Sequence, residues 1–355
     1  MQQLANRPWI TAGVVLVGAG VIAVTPVAAP LPDFQALGVQ LTAGKLTLDL
    51  VRHGQSVDNV EGILGTTPPG AALTDLGDQQ AHDVAPVILA EFPGGIDGIY
   101  ASELIRTQET AAPLAQLLGM DTQVLPGLNE IDAGVLDGAP LNTFTEIGYI
   151  LPSLMWILGV YGVPELGSTL DPNGMAFEDR VNEAIQTIYN GSVSGNADMT
   201  DVAFSHAGTI ATWTLMNVKN PDFSVVLKEL IDTHSPLSNT GEVVIEGNPT
   251  DGWTLVSYDG QAVPQTPDLL TSLFVDWRDL NTAPQMASWH IWEALQGGDP
   301  ATISAALQNG FDEVTAALAR FPQAVIDSLT GALGDGTGVA GQSAAESVGD
   351  LVAPI

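Results

Sequence analysis

The sequence predicts an α/β fold: a three-layer sandwich with a mostly parallel central sheet, an apolar helical cap insertion and a helical C-terminal extension. Three observations lead there. Short β-rich runs alternate with helix-length segments between residues 46 and 262. Polar residues gather where those runs end, the place where layered α/β sheets hold their sites. After residue 262 the alternation stops and one helical period takes over.

Residues 1–9 carry one cation, Arg7, and no acid, and Ile10–Val24 is an uncharged apolar run. Small residues and prolines follow through Pro32, with Val27-Ala28-Ala29 standing before Pro30. This layout predicts a signal peptide or an N-terminal membrane anchor over 1–30, hence export, and a linker over 31–45. The competing reading is a buried apolar helix of the fold. Leu46 to Val51 reads as a strand that ends directly in Arg52-His53-Gly54. Thr74 opens a helix whose body is Gln79 to Phe92. Gly98 to Ser102 is a second strand, followed by a helix through Leu118. Met199 to Ser205 is a third, ending in His206 and followed by a helix from Thr209. Glu242 to Glu246 and Trp253 to Tyr258 close the 46–262 domain as a pair of strands.

The uncharged stretch Ile147–Val163 is long enough for a marginal membrane span. A span there would put His53 and His206 on opposite sides of a bilayer, so the stretch is read as part of a cap insertion at about 139–180. Further on, Ile303, Leu307, Phe311, Val314, Leu318 and Phe321 recur at helical steps within an extension over 263–330. Trp277, Trp289 and Trp292 are expected to anchor those helices in a core or interface. Residues 331–355 are rich in Gly, Ala and Ser and read as a flexible tail.

Composition excludes several function classes. With nine Lys and Arg and a formal net charge of −32, no long stripe of phosphate contacts to nucleic acid can be built. The same charge disfavours anionic lipid surfaces, leaving the N-terminus as the route to membrane association. The absence of cysteine removes disulfides, thiolate nucleophiles, Cys-based zinc sites and an acylated cysteine.

The chemistry-bearing stretch is Leu50-Val51-Arg52-His53-Gly54-Gln55-Ser56-Val57-Asp58-Asn59. Four further segments come after it in order. They are Leu73-Thr74-Asp75-Leu76-Gly77 with Gln79-Gln80-Ala81, then Ala101 to Ala111 with Arg106 at its centre. Leu128-Asn129-Glu130 with Gly134 and Asp137-Gly138 comes next, and Phe204-Ser205-His206-Ala207-Gly208-Thr209-Ile210 is last. Together these segments resemble the signature of the histidine phosphatase superfamily, in the branch with the cofactor-dependent phosphoglycerate mutases, over roughly residues 46 to 260. Two departures stand out: Ala207 replaces the usual glycine, and Thr66-Thr67-Pro68-Pro69-Gly70 differs from the common pattern.

Cleaving a phosphate monoester needs cations for the phosphoryl oxygens, a nucleophile and an acid for the leaving oxygen. Arg52 and Arg106 supply bidentate, permanently charged forks. His53 is expected to attack as neutral imidazole and become phosphohistidine. His206 is expected to complete the positive pocket, and Glu130 to act as general acid and then base. Asp132, Asp137 and Glu146 lie near enough in sequence to serve instead of Glu130. Gly54, Ser56, Asn59 and the Ala207 N–H are expected to contact the phosphoryl group together with the two arginines. Arg180 reads as an ion-pairing residue, and His82, His234 and His290 as structural or exposed. No metal site and no cofactor are expected. The expected partner is a small phosphorylated substrate, with the apolar cap hinting at a hydrophobic portion. The expected activity is that of an exported phosphomonoesterase. A mutase-like phosphoryl transferase and a non-catalytic phosphate-sensing protein on the same fold are the alternatives, and oligomeric state is left open.

Overall fold

Leu46, Leu48 and Leu50 point to one side of a strand and Asp49 and Val51 to the other, and all are buried. A strand buried on both faces belongs in the middle of a sheet covered by helices. Leu46–Arg52 (β1) takes that place in the computed structural model, which describes residues 44–192 and 198–335. The predicted N-terminal segment 1–30, most of the 31–45 linker and residues 336–355 lie outside the described residues.

In chain order the elements after β1 are Val57–Glu61 (α1), Ile63–Leu64 (β2), Asp75–Glu91 (α2), Gly98–Ala101 (β3), Ile105–Leu118 (α3), Thr122–Val124 (β4) and Ala139–Pro140 (β5). Thr143–Ile157 (α4), Gly174–Ser192 (α5), Met199–Ser205 (β6), Ala207–Asn217 (α6) and Phe223–Thr233 (α7) come next. Glu242–Asn248 (β7), Gly252–Tyr258 (β8), Gln261–Ala262 (β9), Leu269–Gly297 (α8) and Pro300–Asp335 (α9) are the last elements of the described residues.

The main sheet runs β4-β3-β6-β1-β7-β8-β9. Its first four strands are parallel, and β7, β8 and β9 add an antiparallel edge. Helices cover both faces. On one face α2 and α3 close a core of Val84, Ile88, Leu114, Val202 and Phe204. On the other, α4, α5 and α6 pack Trp156, Phe177, Ile188 and Trp213 over Leu48 and Leu50. The strand register builds a common edge. Arg52 sits opposite Ser205 and Ala101 opposite Phe204, so β1, β6 and β3 end in line and release their next residues into one cleft.

Two boundaries move. The cap is narrower than the expected 139–180, because α5 begins at Gly174 and buries Phe177, Val181 and Ile185 in the layer on the sheet. Within the cap, α4 is tied down by Trp156 stacked on Phe177, with ring centroids 5.5 Å apart. Residues 331–335, expected in the tail, continue α9, since Gly and Ala at the end of a helix braced by a neighbour need not break it. Helices α8 and α9 form an antiparallel hairpin, with Ser328 donating to Asp276 at 2.8 Å. Arg278 anchors it by donating to the carbonyls of Leu215 and Val218. Among the described residues, no helix is long and apolar enough to cross a membrane.

Four of the eight described lysines and arginines pair with carboxylates away from the strand ends: Lys45 with Glu246, Arg180 with Asp171, Lys228 with Asp232 and Arg278 with Asp279.

Candidate active site

The aligned strand ends bring His53 and His206 edge to face, with ring centroids 5.2 Å apart and both rings buried. Arg106, from the first turn of α3, reaches both. Its Nε donates to His53 Nε2 at 3.0 Å, and its Nη2 to His206 Nδ1 at 3.3 Å and to the Gly65 carbonyl at 2.9 Å. A guanidinium only donates, so each imidazole nitrogen it touches must be an acceptor. The protons then sit on the opposite nitrogens. His53 Nδ1 donates to the Gly54 carbonyl at 2.6 Å, and His206 Nε2 donates to Ser102 Oγ at 2.8 Å. The tautomers are fixed by this wiring, and the lone pair of His53 Nε2 faces the arginine.

Burial, with Arg106 and Arg52 close by, holds the His53 imidazole well below its ordinary titration range. His206 is held low by burial, then by Arg106, His53 and Arg52. This departs from the expectation that His206 would add positive charge: in the unliganded chain both imidazoles are neutral, and the charge comes from the arginines. Burial lowers Arg52 to about 10, with Glu130 opposing that shift. Burial lowers Arg106 too, again against Glu130, yet both stay protonated at neutral pH. Arg52 Nη1 donates to Ser235 Oγ and the Leu237 carbonyl, and Asp58 lies 3.7 Å from Arg106 Nη1. Arg52 Nε and Arg106 Nη1 are buried and have no hydrogen-bond partner. Arg52 thus keeps an unused donor, whereas Arg106 Nη1 lies against Asp58 and Gly70.

The family model of the histidine phosphatase superfamily (branch 1) matches residues 48–223. The chain belongs to that superfamily. The chain is 48% identical over 297 residues to the PE-PGRS family protein PE_PGRS11 of Mycobacterium tuberculosis, a match covering 81% of this chain and 49% of that protein. It is 38% identical over 101 residues to a probable phosphoglycerate mutase, GpmB, of Yersinia enterocolitica, covering 28% of this chain and 45% of the relative. The chain thus spans about half the length of the curated relatives it matches. Among solved structures it is similar to a mycobacterial glucosyl-3-phosphoglycerate phosphatase in complex with VO3, at 20% identity and a TM-score of 0.43, over 60% of this chain and 98% of that one.

The histidine phosphatase cleft gathers Arg52, His53, Arg106, Glu130, His206 and Ala207. Glu130 faces the N-terminus of α6: it accepts from Gly208 N at 3.2 Å, Thr209 N at 2.8 Å and Thr209 Oγ1 at 3.0 Å. That leaves the Ala207 N–H as the open donor of the first turn. The segment carrying Glu130 is clamped by Arg180, which pairs with Asp171 at 2.8 Å and donates to the carbonyls of Gly127 and Asn129. The other carboxylates have separate tasks. Burial pushes Asp132 up, but hydrogen bonds from Gly134 N, Ser168 and the backbone of Leu170 and Thr169 outweigh it and hold the group below the usual carboxylate range. Asp137 is likewise held low, burial being outweighed by donors on Thr66 and Thr67. Those bonds also pin the unusual 66–70 loop to the segment before the cap. Glu146 is exposed on α4.

Two expected phosphoryl contacts, Gly54 and Ser56, are placed differently. The Gly54 N–H is spent on Thr110 Oγ1 at 3.0 Å, and a Cβ at Gly54 would lie 2.6 Å from the Gly77 carbonyl oxygen. Close packing of β1's end against α2, not approach to an anion, accounts for this glycine. Ser56 is fully buried as the N-cap of α1, its Oγ accepting from Asn59 N while Asn59 Oδ1 accepts from Ser56 N. This capping box uses the acceptor end of Asn59 and leaves its NH2 for a ligand. Three positioning groups escape the sequence reading. Ser102 lies inside the Ala101–Ala111 segment with no chemistry of its own to mark it, Gly65 acts through its carbonyl alone, and Asn239 donates to the His53 carbonyl at 3.1 Å from a loop with no motif. Among the described residues, no three His, Asp or Glu side chains are gathered to hold a metal.

Proposed function

We propose that this histidine phosphatase is an exported phosphomonoesterase that works through phosphohistidine at His53. The observation that carries the reading is the His53 imidazole at a strand end, its Nε2 held as an acceptor by Arg106, with Arg52, Glu130 and His206 gathered around it. A phosphoryl group accepts from both arginines, the Ala207 N–H and the Asn59 amide. Arg106 then moves its Nε from His53 Nε2 to a phosphoryl oxygen. The freed lone pair attacks phosphorus, the bond to the leaving oxygen breaks, and a proton passes from Glu130 to that oxygen. In the second half Glu130 takes a proton from water, the water oxygen bonds phosphorus, the P–Nε2 bond breaks and phosphate departs. His206 donates to Ser102 and holds the far side of Arg106 throughout. The substrate is a small phosphate monoester whose alcohol has an apolar portion.

The test is purified enzyme with p-nitrophenyl phosphate, with and without EDTA, followed by a rapid quench. An acid-labile, base-stable phosphate on His53, lost in His53→Ala, supports the reading. The absence of turnover and of phosphoenzyme rejects it. A second reading, a mutase-like phosphoryl transferase, is favoured by the match to the probable phosphoglycerate mutase. It predicts transfer of the label from His53 to a phosphoglycerate in preference to water. Export belongs to the same proposal and rests on residues 1–30; a reporter fused after Pro32 that stays in the cytosol rejects it.

A further inference from the structure

The phosphate pocket opens into a cavity of about 430 Å³ that runs away from Arg52 and Glu130 between α4, α6 and α7. Its size is that of pockets which bury most of a small organic ligand. The floor is a single stripe of α6: Ala207, Ala211 and Leu215 recur at four-residue steps, so one helix face lies along the cavity. The small alanines nearest the catalytic end leave room close to the phosphoryl site. One wall is α4, with Ile150 and Leu154, and the other is α7, with Leu227 and Leu230. Leu154 is 47% and Leu227 57% exposed, so each wall offers apolar surface that is still wet.

Three hydroxyls of the lining already donate within the protein, Tyr149 Oη to the Ile131 carbonyl at 3.1 Å among them, while exposed His234 at the cavity's edge can still donate or accept. Ser153 Oγ donates to the Ile150 carbonyl at 2.8 Å, and Ser235 Oγ donates to the Leu237 carbonyl at 2.9 Å while accepting from Arg52. Sugar hydroxyls placed along the α6 stripe would lose water and gain few partners. Apart from Arg52, the lining holds no Lys or Arg, and Glu146 is part of it. A second anionic group, such as the carboxylate of a phosphorylated acid, would meet the like charge of Glu146 and no permanently charged counterion, His234 being the one further basic side chain of the lining. Continuity with the catalytic residues makes the occupant the leaving group of the substrate itself.

Resting on the phosphatase reading above, we propose that the substrate class is the phosphate monoester of a long aliphatic alcohol with no second charge. The phosphoryl group lies at Arg52 and Arg106, and the chain lies along the α6 stripe between α4 and α7. Water takes the phosphoryl group from His53 and the free alcohol leaves.

The test is a series of ethyl, butyl, hexyl, octyl and decyl phosphates, each kept monomeric, with p-nitrophenyl phosphate as a chain-independent substrate. The expected result is a rise in kcat/KM of about threefold per added methylene until the cavity is filled. A flat series, with p-nitrophenyl phosphate and ethyl phosphate both turned over, overturns this inference and leaves the phosphatase reading standing. Turnover of none of them rejects the phosphatase reading instead. The inference is then decided by calorimetry with non-hydrolysable phosphonates. Octylphosphonate must bind at least about a hundredfold more tightly than ethylphosphonate, and equal affinities overturn it. The exposed positions Leu154→Glu and Leu227→Glu should cut the octyl-to-ethyl ratio at least tenfold. An unchanged ratio in both folded variants places the chain elsewhere and overturns the assignment.

Discussion

Arg106 is the residue on which the cleft turns, because one guanidinium sets the tautomers of two histidines. Ring ¹⁵N NMR at neutral pH should show His53 protonated at Nδ1 and His206 at Nε2. Both rings should stay neutral as the pH falls below the ordinary histidine range, since burial and Arg106 disfavour their charged forms. An imidazolium signal from either near pH 6.5 would show that the wiring is wrong. In the proposed mechanism Glu130 carries a double load, as proton donor and as the observed acceptor for the Gly208 and Thr209 N–H groups of α6. Glu130→Gln should lose roughly 10²-fold or more on alkyl phosphates and much less on aryl phosphates, whose leaving groups need little protonation. The same variant should also be less stable by about 1 kcal/mol, because an amide NH2 turned toward Gly208 N cannot accept from it. Equal rate losses on both substrate classes would remove the acid role. His53, His206, Arg52, Arg106 and Glu130, picked out in the sequence by the segments that resemble the superfamily signature, are brought into one cleft by the fold. Gly65 and Leu237 are not picked out, since a carbonyl acceptor carries no residue signature.

At the scale of elements, strands and caps are the legible part. β1 announces itself by its apolar run and α2 by Thr74, whose hydroxyl accepts from Gly77 N at 3.1 Å as an N-cap should. Helix α7 carries signals of the same kind that the sequence reading passes over: Asp222 caps it, accepting from Ser224 N and Val225 N, and Phe223, Val226, Leu227, Leu230 and Ile231 recur at helical steps. The loop after it reaches the cleft only through sheet topology, because β7 lies beside β1. The turn from β1 into α1 gives a sharp test of how closely these elements meet. Gly54 and Gly77 face each other so tightly that a Cβ at Gly77 would lie 2.0 Å from the Gln55 carbonyl oxygen. Gly54→Ala should therefore cost about 1–3 kcal/mol in urea unfolding, besides displacing His53. A variant as stable as the parent would show that the junction yields easily.

Across the whole molecule, acid is in excess even inside. Burial pushes Glu242 up from 4.5 to about 8, with Glu91 adding to it, and Asp49 within β1 is raised by burial, then by Glu242 and Glu91. The folded chain binds more protons than the unfolded one between those two values. Stability should therefore fall as pH rises from about 4.5 to about 8 on account of this site, and then level off. Glu242→Gln should flatten that slope and raise the Tm at pH 8 by a few degrees; an unchanged profile in thermal melts would rule the site out. The pairing of outlying cations with local carboxylates has a further consequence, felt before any substrate touches the protein. At a distance, an incoming dianion meets the field of a body with formal charge −32, and the attraction of Arg52 and Arg106 is confined to the cleft. Diffusional encounter is hindered where most phosphate-handling proteins steer it. Screening shortens the reach of that repulsion from about 30 Å at 0.01 M salt to about 8 Å at 0.15 M. In sodium chloride, capture of a dilute anionic substrate should speed up over this range, and a falling kcat/KM would mean that the cleft projects its charge beyond the acidic surface.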